Sequence, residues 1–85
     1  MSQRAAALGL LRALLREAKR MPTGNRRRFV RDRALAGFRD ARAEADPERL
    51  TFLMRLADTQ LDNVRVQVGV LNELAASGNL KGPKS

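Results

Sequence analysis

Arg12 stands inside a run of leucines in "LGLLRALLREAKRMP", residues 8 to 22, and Arg28, Arg31, Arg39 and Arg42 follow at steps of three, eight and three. A guanidinium stays charged at any physiological pH and offers a planar fork of donors, so the chemistry within reach of these residues is capture of phosphate or carboxylate. Bond-breaking chemistry has little to work with. The chain has no histidine and no cysteine, which removes imidazole bases, thiolate nucleophiles and the commonest zinc ligands together. Its few serine and threonine hydroxyls therefore lack a histidine to activate them, and its nine carboxylates are scattered among arginines. The sequence reads as a binding protein, not an enzyme, with no metal site and no cofactor of its own.

The charge is unevenly placed. Of the net +8, residues 1–33 hold ten basic side chains against Glu17 and Asp32, whereas residues 34–85 hold seven of each sign. A basic third of this kind attracts nucleic acid, anionic lipid or an acidic protein, and charge alone does not choose among them. No apolar run approaches the roughly 20 residues that span a bilayer, and no secretory signal pattern is present, so a soluble chain is expected. The N-terminal segment is Arg-rich, acid-poor and amphipathic, which suits either a mitochondrial targeting helix or a structural first helix.

Three elements must position the arginines. Over residues 5–21, Leu8, Leu11, Leu15 and Ala18, flanked by Leu10, Leu14 and Met21, fill an arc about 160° wide at helical spacing. Pro22 and Gly24 are read as its end. From about Asn25 to Ala43, Val30, Ala34, Gly37, Phe38 and Ala41 share one face, built mostly of small residues. "ADPERL" then supplies Asp46 as N-cap, Pro47 at the first helical position and Glu48 beside the positive helix end. The third helix carries Leu50, Met54, Ala57, Leu61, Val64, Val68, Leu71 and Ala75 at alternating steps of four and three. Within it "VRVQVGV", residues 64–70, alternates like a strand, but a lone strand would have no partner and the 3.5-residue register runs through it unbroken. The expectation is all-α: an antiparallel three-helix bundle with a long third helix, one domain over residues 1–76 and a frayed tail over 77–85. A core this short is thin, burying about 60% of the surface the unfolded chain exposes, and a partner would complete it.

Each cationic feature has a plain reading and a functional one. Arg12 lies about 40° outside the apolar arc, with Lys19 on the same margin, either snorkelling over leucine or guarding an apolar cleft. Arg28, Arg31, Arg39 and Arg42 stripe the second helix around Leu35, either as a solvated face or as a track for an acidic helix. Ala34, Gly37 and Ala41 either let helices approach closely or leave a slot for a guest chain, each buried CH₂ of which contributes about 0.8 kcal/mol.

Taken in order, "LGLLRALLREAKR", "FVRDRALAGFRD" and "ADPERL" ahead of a long third helix resemble the LYR-motif superfamily of small mitochondrial proteins. That superfamily has an L-Y-R triplet early in helix one, here Leu10, Leu11 and Arg12, and a Phe-Arg pair late in helix two, here Phe38 and Arg39. The resemblance covers about residues 4–75, with Leu11 standing where the family has tyrosine. "LLREAKR" and the "VRVQV" region look most like the branch that serves as small accessory subunit of the mitochondrial cysteine desulfurase, while "MPTG" and "DPERL" also look like other members.

The resemblance implies a non-catalytic adaptor in the mitochondrial matrix, or on the matrix side of the inner membrane, that binds mitochondrial acyl carrier protein. It implies that Arg12, Arg39 and Arg42, and more weakly Arg28 and Arg31, meet the carrier's acidic side chains or its prosthetic phosphate. It further implies that Leu11, Leu15, Ala34, Phe38, Met54, Ala57 and Leu61 line a slot for the acyl-phosphopantetheine supplied by the carrier. The client would be the cysteine desulfurase of iron–sulfur cluster biogenesis or a respiratory complex. The competing reading is a basic helical RNA-binding component, for instance of a mitochondrial ribosome, although only Phe29, Phe38 and Phe52 are available to stack on bases. A membrane-surface role for the first helix is the third, with the absence of tryptophan against it.

Overall fold

The computed structural model describes residues 2–78 and contains three helices: α1 (Gln3–Ala18), α2 (Gly24–Ala43) and α3 (Pro47–Ala76). All described regular structure is helical, as the periodicities require, and the three run up, down and up as an antiparallel bundle. Most of the tail expected over 77–85 lies outside the described residues. Ser77 and Gly78 close α3, the glycine adopting the positive φ of 88° that stops a helix at little steric cost.

Each helix starts on a side-chain cap. Ser2 accepts from the Ala5 amide at 3.0 Å, Thr23 from the Arg26 amide at 3.2 Å, and Asp46 from the Glu48 amide at 3.0 Å. The Asp46–Pro47 start of α3 is as read from the sequence. The first connection differs from expectation. Helix α1 ends at Ala18, because the amides of Arg20 and Met21 turn back to the carbonyls of Glu17 and Ala18 in a tighter spiral, and Pro22 has no amide to continue it. Met21, expected as the last apolar residue of the helix, instead folds in from the turn and is buried. Gly24 is no turn residue either: with Thr23 capping, it opens α2.

The core is a single apolar cluster centred on α1, whose Ala7, Leu11, Leu14 and Ala18 meet Val30, Ala34 and Ala41 from α2 and Ala57, Leu61, Val64 and Val68 from α3. Each fully buried Leu or Val in it contributes roughly 1.5–3 kcal/mol. Segment 64–70 is helical, as argued from its register: Val64 and Val68 face the core, while Val66 and Val70 face out. Helix α1 lies between the other two and packs extensively on both, whereas α2 and α3 touch each other over a shorter stretch. The 30-residue α3, about 45 Å long at 1.5 Å per residue, sets the long dimension of the 48 × 17 × 15 Å molecule. Its far half is pinned by Asn72, whose Nδ2 donates to the Arg20 carbonyl at 2.7 Å. None of the described helices is long and apolar enough to cross a membrane.

Of the two roles open to the small face of α2, close approach operates against α1. Ala34 and Ala41 are fully buried, and a Cβ placed on Gly37 would lie 2.8 Å from Leu11 Cδ2. Helix α2 therefore rides close on α1 around Gly37, and space is left both between α2 and α3 and nearer the α1–α2 turn.

A cationic seam beside an open apolar cleft

Helix α1 offers its Leu8–Arg12–Leu15–Lys19 margin to α2, since residues three and four apart share one side of a helix. The motif triplet is split by this geometry: Leu11 is buried, Leu10 half-buried and Arg12 exposed. The Arg12 guanidinium lies over the ring of Phe38 on α2, 5.9 Å from its centroid. An arginine at that distance is attracted by the ring's quadrupole and keeps its outer N–H groups free for an anion. Arg12 thus takes the snorkelling posture, its stem over apolar surface and its charge facing out, and it is not among the residues that line the clefts on either flank of α2.

Towards the α1–α2 turn the seam widens into a groove of about 480 Å³ lined by Leu15, Ala18, Lys19, Gly24, Arg27, Arg28 and Arg31. Its floor is apolar and its walls carry four cations. Arg28, Arg31, Arg39 and Arg42 are all exposed, with Leu35 among them 41% exposed, so the stripe inferred from spacing exists on the surface. It runs about 21 Å along α2 at 1.5 Å per residue. Among the described residues Arg12, Arg28, Arg39 and Arg42 make no salt bridge; Arg31 lies 3.6 Å from Asp32, both being exposed. An exposed pair of that kind is worth at most about 1 kcal/mol, so the stripe's charge is effectively available to a partner.

The seven residues expected to line an acyl slot fall in different places. Leu11, Ala34, Ala57 and Leu61 are buried, while Leu15, Phe38 and Met54 are half-buried. Leu15 belongs to the cationic groove, and Phe38 lies beneath Arg12. Leu11 and Ala57 line a separate cleft of about 210 Å³ between α2 and α3, together with Gly37, Leu53 and Leu56. A second opening of about 120 Å³ lies further along the same side, between Val30 and Phe29 of α2 and Val64 and Asn63 of α3. Apolar side chains thus face solvent on both flanks of α2, and the buried Ala34 lies between them.

Several residues of this architecture carry no advance signal or only a faint one. Arg27 shares the phase of Arg31 and Phe38 on α2, which could have placed it in the seam; its Nη1 also donates to the Met21 carbonyl at 2.9 Å and ties the first turn. Arg4 was not identifiable. Its guanidinium donates to the carbonyls of Ala41, at 3.1 Å, and Glu44, closing the end of α2 from across the bundle. Glu17, the one acid on α1, is held on the opposite flank between Arg20 at 3.5 Å and Arg65 of α3 at 3.8 Å, away from the cationic seam.

The aromatic residues do not form a platform. Phe29, Phe38 and Phe52 sit apart, each under its own arginine: Arg33 at 5.5 Å, Arg12 at 5.9 Å and Arg49 at 5.7 Å. Consecutive bases would find no run of rings to stack on.

We found no solved structure that matches. The chain is 34% identical over 79 residues to LYR motif-containing protein 4 of Taeniopygia guttata, an alignment covering 93% of this chain and 88% of that relative. The family described as Complex 1 protein (LYR family) matches residues 5–63, a span that holds all of α2, most of α1 and both residues of the Arg12–Phe38 contact. With more than half of its length inside that match, and its triplet and Phe-Arg pair meeting across one helix interface, the chain belongs to the LYR family.

Proposed function

We propose that this protein is a non-catalytic mitochondrial adaptor that binds an acylated acyl carrier protein and presents it to a client, in iron–sulfur cluster biogenesis or in the assembly or structure of a respiratory complex. Members of the family are generally non-catalytic adaptors and typically mitochondrial, which supports the class of role. The observation that carries the reading is the α1–α2 face itself. Arg28 and Arg31 join Lys19 and Arg27 around the apolar floor made by Leu15 and Ala18, Arg39 and Arg42 continue the stripe along the exposed side of α2, and Arg12 lies over Phe38 at the α1–α2 interface.

An acidic helix laid along such a track gains charge-assisted hydrogen bonds, and the prosthetic phosphate would suit the groove's cations. The acyl chain would then pass beside Phe38 or enter the α2–α3 cleft at Leu11 and Ala57, each buried CH₂ contributing about 0.8 kcal/mol. Such a guest binds only the folded chain, so it also stabilises a bundle whose own core is thin.

The test is mass spectrometry of the protein purified from its native source. A co-purifying carrier with an acylated phosphopantetheine is the expected result, and the remaining proteins identify the client. Arg12→Glu with Arg39→Glu should abolish carrier capture at unchanged helical content. Capture that survives both changes removes these arginines from the site, and recovery of RNA with a steep salt dependence and no carrier favours the nucleic-acid reading instead.

A further inference from the structure

The outer face of α3 carries a second regular pattern. The inward heptad is buried on α1, yet the opposite side of the helix exposes large apolar side chains: Phe52 is 55%, Leu56 41%, Val66 66% and Val70 50% exposed. They are joined by Thr59 and Asn63, also exposed, so that steps of four and three run from 52 to 70 without a charge. Glu73 continues the stripe at one end and Arg49 at the other, the latter lying over Phe52 and 3.5 Å from Glu44 in a largely exposed pair worth at most about 1 kcal/mol, which a second copy's Glu73 can replace. Scattered exposed aliphatics need no explanation, but two apolar pairs in one uncharged coiled-coil register, either side of two polar positions, do.

We propose that this stripe is a self-association surface, on which a second copy of the chain packs its own α3 antiparallel. The pattern is complementary to itself in one direction only. In an antiparallel register centred near residue 61, Phe52 meets Val70 of the second copy and Leu56 meets its Val66. The two polar positions, Thr59 and Asn63, meet each other, and Arg49 meets Glu73. Every apolar residue finds an apolar one, and the terminal charges are opposite. The parallel alignment sets Arg49 against Arg49 and Glu73 against Glu73, which is repulsive at both ends.

The distribution of charge permits this approach despite a net +8. Residues 2–46 hold twelve basic and five acidic side chains, whereas Pro47–Ala76 hold three basic and four acidic ones, so α3 is the one helix that does not repel its copy. Asp62 is the exception, lying beside its own copy near the dyad. The stripe is about 36 Å long and one helix face wide. That area falls short of the roughly 800 Å² per partner of a standard stable interface, so the dimer is weak and concentration-dependent. The α1–α2 seam is left free, but Leu56 also lines the α2–α3 cleft, so the dimer and an acyl chain in that cleft would compete for this side chain, while dimerisation itself does not rest on the carrier reading.

Sedimentation of the full chain over micromolar to millimolar concentration should show a monomer–dimer equilibrium. Val66→Glu should abolish it and Asp62→Asn tighten it severalfold, both at unchanged helical content. Arg49→Glu should weaken dimerisation, and adding Glu73→Arg should restore it. Because the chain has no cysteine, register can be read directly: a mixture of the Leu56→Cys and Val66→Cys variants should form a disulfide dimer that neither forms alone, with Gly9→Cys as the off-surface control. A monomer throughout the range, disulfide dimers of each variant alone, or failure of the charge swap to restore association would overturn the proposal.

Discussion

The guanidinium of Arg12 and the ring of Phe38 lie 5.9 Å apart across the α1–α2 interface, joining the two short motifs that are 26 positions apart in the chain. An exposed contact of this kind is worth about 0.5–1 kcal/mol. A double-mutant cycle of Arg12→Ala and Phe38→Leu, followed by urea unfolding, should therefore return a coupling energy of about that size. The single Arg12→Ala change should cost no more than about 1 kcal/mol. Zero coupling would show that the Arg12–Phe38 contact adds nothing to the stability of the bundle.

Arg4 does for α2 what a C-terminal cap usually does. Its donors reach the carbonyls of Ala41 and Glu44, which the end of the helix leaves without amide partners. Arg4→Ala should destabilise the protein by about 1–3 kcal/mol, the range of hydrogen bonds from a charged donor. Arg4→Lys should recover only part of the loss, because one ammonium lacks the fork that serves two carbonyls. Thermal unfolding of the three proteins measures both, and full rescue by lysine would show that charge, not geometry, closes the helix.

Leu11 touches the space above Gly37 closely, and in the mapping of the L-Y-R triplet onto Leu10, Leu11 and Arg12 it takes the place of the tyrosine. Restoring the family residue by Leu11→Tyr forces a ring into a site shaped for leucine, which should cost about 1–3 kcal/mol. Leu11→Ala removes buried methyl groups and should cost about 2–5 kcal/mol. Melting temperatures should rank wild type above Leu11→Tyr and Leu11→Tyr above Leu11→Ala. A stabilising tyrosine would show that the α2–α3 cleft, which Leu11 also lines, accepts the phenol.

Local physics made much of this protein legible in advance. The period of 3.6 read over residues 5–21, the Asp46–Pro47 cap and the unbroken register through Val64–Val70 each depend on neighbours within a turn or two, so helix number, helix type and the buried face of α3 followed from the sequence alone, whereas the stop of α1 at Ala18 did not. The arginine stripe of α2 was equally plain, because a helix places residues 28, 31, 39 and 42 on one side whatever it packs against. Charge imbalance pointed to a binding role for the same reason: it is a count. What remained undecided were relationships between residues distant in the chain. Only the packing of α2 on α1 sets Arg12 over Phe38, carries Arg4 to Ala41, and turns the small residues into a close contact on one flank while leaving a cleft on the other. Periodicity says which side of each helix is apolar. How far around one another three such sides close depends on the summed shapes of their side chains, Gly37 against Leu11 above all, and that is settled only when the helices meet.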